Sequence, residues 1–149
     1  MTWEQGVLVA QLAASSIMCG IIWFVQIIHY PLLSAVPGEA GAAYALLNRR
    51  RTAWVVLPPM IVEAATAAWC VYAPPAGVSR PLAGVGVGLV AAVWLSTLAV
   101  QMPLHERLGR EGCRADLVAR LVASNWPRTI LWTARLAVAA WMVSVACGP

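Results

Sequence analysis

Four stretches of this chain, Val7 to Tyr30, Ala53 to Tyr72, Leu82 to Met102 and Thr129 to Cys147, are each long and apolar enough to cross the hydrocarbon core of a bilayer, which takes about 20 residues of helix. The rest of the chain cannot clothe them in water, since 61% of the 149 residues are hydrophobic and only 11% are charged. The expected fold is all-α, an integral membrane four-helix bundle forming one transmembrane domain over residues 1–149. The first run lacks a basic lead-in and a convincing cleavage site, so it reads as a span and not as a removable signal.

Arginine placement sets the expected orientation. The connection after the first span carries Arg49, Arg50 and Arg51, and the one after the third carries Arg107, Arg110, Arg114 and Arg120, with Arg128 at the next boundary. The middle connection has only Arg80. By the positive-inside rule the arginine-rich side is cytoplasmic and both termini lie outside. All ten basic residues are arginine and the net charge is +4, but at this low charge density the expected surroundings are lipid, with no nucleic-acid partner.

The two halves, about 1–75 and 76–149, echo each other. At an offset of 77, Asn48, Arg51, Thr52 and Cys70 meet Asn125, Arg128, Thr129 and Cys147, and with slight slippage Gln26 and His29 meet Gln101 and His105. Each half holds two spans, so a common origin predicts a parallel repeat of helix pairs. The stretches "EAGAAYALLNRRR" and "ADLVARLVASNW" read as short amphipathic helices lying along the cytoplasmic interface.

Inside the spans the polar residues form stripes. Gln11, Ser15, Cys19, Ile22, Gln26 and His29 share a sector of roughly 100° on the first helix. The second aligns Thr52, Val56, Pro59, Glu63, Thr66 and Cys70, the third Thr97, Gln101 and His105, and the fourth Arg128, Trp132 and Arg135. An isolated charge in hydrocarbon costs at least ~2.5 kcal/mol, so Glu63 and Arg135 are expected to pair. The bland alternative for these groups is interhelical glue; for Arg51 and Arg128 it is snorkelling to lipid phosphates.

His29 and His105, at equivalent depth, could ligate a haem, iron or copper between the first and third helices, although two imidazoles are few for a non-haem site. The four cysteines form no Cys-x-x-Cys pair; Cys70 and Cys147 fall near the same membrane face, where a disulfide is conceivable.

The stretches "WFVQIIHYPLL", "VQMPLHERL" and "NWPRTILWTARL" resemble the small four-span bacterial membrane proteins grouped with the anthrone oxygenases. The resemblance implies a four-helix membrane protein and oxygenation of an activated phenolic or polyketide carbon without an obvious organic cofactor. On it Asn125, Arg128 and Trp132 are the transferable positions, and His29 or His105 the candidate base. The residues alone suggest a lipophilic small molecule entering a pocket near the cytoplasmic side. Catalytic roles then fall to His29, His105, Glu63 and Arg135, and substrate contacts to Gln26, Asn48, Arg51, Gln101, Asn125, Arg128 and Trp132. Two other classes remain open: an accessory subunit of a membrane complex, and a small carrier. The latter would need a homodimer, for which Gly84, Gly86 and Gly88 could supply close packing.

Overall fold

The computed structural model describes residues 2–36 and 38–148. Four long helices account for nearly all of them: α1 (Trp3–Ala35), α2 (Gly38–Tyr72), α3 (Arg80–Glu111) and α4 (Ala115–Cys147). All four are long and apolar enough to cross a membrane, as expected of a multi-pass membrane protein. Thr2 opens α1 with a capping box, its hydroxyl accepting from the Gln5 N–H while the Gln5 side chain accepts from the Thr2 N–H. Ser79 caps α3 by accepting from the Leu82 N–H.

Short connections force consecutive helices antiparallel. α1 packs between α2 and α4, and α3 packs between the same two, giving an up-down-up-down ring around one core. The α3–α4 turn is only three residues, and Gly112 supplies the positive φ of 79° that ends α3. The backbones are close here: a Cβ on Gly41 of α2 would stand 2.9 Å from the Cys113 nitrogen. The Cys113 thiol donates to the Gly41 carbonyl at 3.3 Å, and burial pushes that thiol above its ordinary range, which keeps it protonated.

The two amphipathic stretches are not separate interfacial helices. They are continuous with the spans, so α2 and α4 run 35 and 33 residues without a break, about 50 Å at ~1.5 Å per residue against a hydrocarbon core of roughly 30 Å. Ala45, Leu108, Cys113, Leu117, Val118 and Leu121 explain why: their apolar sides pack on one another and extend the core past the expected membrane boundary. An apolar face satisfied by a neighbouring helix has no need of lipid.

Two of the helices contain a wide turn. In α1 the Tyr30 N–H reaches back five residues to the Val25 carbonyl, and in α3 the Met102 N–H reaches the Thr97 carbonyl. Each π-turn is followed by one residue and then a proline, Pro31 and Pro103. A proline ring clashes with the carbonyl four residues back, here Ile27 and Ala99, both inside the π-turns. Widening the turn moves that carbonyl aside and lets the helix continue.

Candidate functional site

The site is assembled from α4 outward. Asn125, Arg128, Thr129, Trp132 and Arg135 lie on its buried face. Gln26 of α1 organises this face: its Oε1 accepts from Asn125 Nδ2 at 2.8 Å and from the Thr129 hydroxyl at 3.3 Å, while its Nε2 donates to the Val122 carbonyl at 3.2 Å. Asn125 Oδ1 in turn accepts from Arg128 Nη1 at 2.9 Å. The bonds run in one direction, Arg128 to Asn125 to Gln26 to backbone, so each amide orientation is set by its neighbour. The Arg128 guanidinium also lies over the Trp132 ring, 5.0 Å from its centroid.

Beside Arg128 is a cavity of about 510 Å³, within the range of pockets that hold one small molecule. Met18, Ile22, Val56, Met60 and Trp94 wall it with apolar surface, and Thr52, Gln101, His105, Arg49, Arg50 and Arg128 give it polar groups. Gln101 Nε2 donates to the Ser124 hydroxyl at 3.0 Å. Its Oε1 and the Arg128 Nε, both buried, have no hydrogen-bond partner among the described residues. His105 is held by Tyr30, with 3.1 Å between the phenol oxygen and Nε2.

A second polar layer lies further along the bundle. Glu63 accepts from the Ser15 hydroxyl at 2.7 Å and from the Trp132 indole N–H at 3.1 Å, and Arg135 Nε stands 3.5 Å from it. Glu63 and Arg135 are each under 3% exposed, so the expected pair is present. Gly86 makes room for it, since a Cβ there would stand 3.1 Å from Arg135 Nη1. Trp132 joins the layers, bonded to Glu63 at its edge and to Arg128 at its face.

The residues expected to form one pocket are therefore sorted by the structure. Gln101, His105 and Arg128 line the cavity. Gln26, Asn125 and Trp132 stand behind Arg128 and orient it. Glu63 and Arg135 lie outside the cavity, paired with each other. Arg51 is exposed, on the same outward side of α2 as Trp54 and Val55, and Arg49 and Arg50 line the cavity in its place. Asn48 is half-buried and its Oδ1 accepts from the Thr52 hydroxyl at 3.2 Å, outside the cavity lining.

His29 is also displaced. The π-turn takes in an extra residue, so the position that a 3.6-residue period brings to the inner face is occupied by Tyr30, 6% exposed, while His29 turns aside and stacks on Phe24 at 6.3 Å. Helical periodicity does not single out Tyr30, Arg49, Arg50 or Glu106 as site residues. Pro31, two residues past His29, is the available sign that the helical phase shifts there.

The described residues do not supply the three-ligand set of a non-haem metal centre. Among the described residues no group of three His, Cys, Asp or Glu converges. His105 Nε2 is engaged by Tyr30, whose ring lies beside both imidazoles, with centroids at 6.0 and 5.5 Å. Glu63 bonds Ser15, fourteen residues before His29 on α1, about 20 Å along a helix. Cys70 and Cys147 are free thiols, the first buried against Gln11 and the second exposed, so they form no disulfide.

Comparison of the chain with protein-family models, curated proteins and solved structures returned no match.

Proposed function

We propose that this protein is an integral membrane enzyme that admits a lipophilic small molecule to the cavity beside Arg128 and acts on it as an oxygenase. The observation that carries the reading is the cavity itself: an apolar chamber within the bundle lined by Arg128 and Gln101, whose buried Nε and Oε1 have no hydrogen-bond partner among the described residues. Buried donors and acceptors are costly to leave unpaired, and a ligand with an oxygen head group in the cavity would offer the Arg128 guanidinium an acceptor.

The resemblance to the anthrone oxygenases supplies the reaction class. In that reading His105 accepts a proton from an acidic carbon of the substrate and Arg128 stabilises the anion that remains. The anion reduces dioxygen, a CH₂ group becoming a carbonyl with release of one water. Gln26, Asn125 and Trp132 hold Arg128 in place. The orientation that accompanies this reading puts the arginine-rich end in the cytoplasm.

Dioxygen uptake by the purified protein, supplied with lipophilic phenolic ketones, tests the reaction. Uptake that is lost in His105→Ala and Arg128→Gln is expected. No uptake from a folded protein that still retains a lipophilic ligand would leave a carrier or an accessory subunit as the function.

A further inference from the structure

The cavity is polarised along the bundle. Met18, Met60 and Trp94 stand at or beyond the middle of their helices, while Arg49 and Arg50 lie nearer the arginine-rich end, toward which Arg128 reaches to donate to Asn125. One carboxylate, Glu106, lines that end with them, so three arginines against one glutamate leave an excess of two positive charges. Glu106 is moreover divided between Arg49 at 3.9 Å and Arg110 at 3.3 Å. Uncompensated positive charge beside a low-dielectric chamber favours an anionic guest.

The way in is also visible. α2 and α3 supply most of the lining, and Leu57, Leu98 and Met102, at 43%, 53% and 45% exposure, lie on the seam between them. At the level of Thr97–Gln101 the π-turn packs on α4, and its Thr97, Leu98 and Gln101 line the chamber together with Thr52, Ala53 and Val56 of α2. The seam thus carries apolar side chains that are exposed on the outside of the bundle and also line the chamber.

We propose that the cavity binds an amphiphile with one apolar body and one ionised oxygen-acid head, a carboxylate or a phosphate monoester, which enters sideways from the lipid through the α2–α3 seam. The head lies against Arg49, Arg50 and Arg128, and the apolar body lies against Met18, Met60 and Trp94. This rests on the reading of the cavity as the ligand site and adds the chemistry of the ligand and its route.

The test uses the full chain in lipid nanodiscs with palmitate, hexadecyl phosphate and, as the matched neutral probe, hexadecanol. Binding of at least one acid about ten-fold tighter than the alcohol is expected, and the tighter acid identifies the head. Arg128→Gln should remove that preference; the Arg49→Gln/Arg50→Gln variant, changed only at the half-exposed mouth, should weaken it even if Arg128→Gln does not fold. Leu98→Trp should slow acid association several-fold while leaving the equilibrium affinity within about two-fold.

Equal binding of acid and alcohol would overturn the head-group assignment and leave the cavity as a ligand site. An unchanged association rate in Leu98→Trp would overturn the route. Failure of all three probes to bind the folded protein would instead remove the ligand-site reading beneath both.

Discussion

Arg128 depends on residues that never reach the cavity. Asn125 fixes its Nη1, and Trp132 supports its plane. Asn125→Ala removes one acceptor from Arg128 and one donor from Gln26, and should cost about 1–3 kcal/mol of stability, measured by unfolding in mixed micelles. Arg135→Leu should be worse, about 3–5 kcal/mol, because it strands the buried Glu63 charge; Arg135→Leu combined with Glu63→Leu should recover most of that loss. A double variant no more stable than the single one would mean that the 3.5 Å contact is incidental. This pair is legible in the sequence because a charge in a membrane span needs a partner and the two lie at reachable depths. The place of Arg51 is not, because an arginine-rich triplet on a helix spreads over three directions, and the matching Asn-x-x-Arg-Thr at Arg128 gives no guide to which of them faces inward.

At the scale of the helix, the consequential devices are the π-turns before Pro31 and Pro103. They rotate the residues on their C-terminal side relative to the preceding turns, which is how Tyr30 replaces His29 on the inner face. Pro31→Ala restores the N–H and removes the ring clash, so the turn should tighten and draw Tyr30 away from His105. The chain has only two histidines, so the imidazole NMR signals are simple to assign, and Pro31→Ala should shift that of His105 as Tyr30→Phe does. An unmoved signal would mean that the proline does not maintain the wide turn. The glycines of α3 divide the same way. Gly86→Val would press on Arg135 and on Met142, whose Cε stands 3.0 Å from an added Cβ, and should cost about 1–3 kcal/mol. Gly84 and Gly88 have nothing within 4 Å of such a Cβ; Gly84→Ala and Gly88→Ala should be neutral or stabilise the helix by up to about 1 kcal/mol. A loss at those two positions would point to a partner helix on this face, as in the homodimer that a carrier would require.

For the whole molecule, orientation can be read from the cysteines. Cys19, Cys70 and Cys113 are buried and Cys147 is exposed, so a membrane-impermeant maleimide should modify one thiol. With both termini outside, intact cells should be labelled at Cys147 and a Cys147→Ser variant should not; labelling that needs lysis would invert the topology. The apolar runs by themselves determined that four helices form and pair antiparallel, since a stretch of about 20 apolar residues has few other ways to satisfy its backbone in lipid. They also determined which stripe of each helix turns inward, up to the π-turn of α1 and apart from the arginine triplet of α2, because that follows from a local period. Helix length past the membrane boundary, the division of the polar groups into a cavity layer and an ion-pair layer, and the exchange of His29 for Tyr30 were decided only by the tertiary structure. Each depends on how one helix meets another or on a break in the 3.6-residue phase, and neither is carried by the periodicity of a single segment.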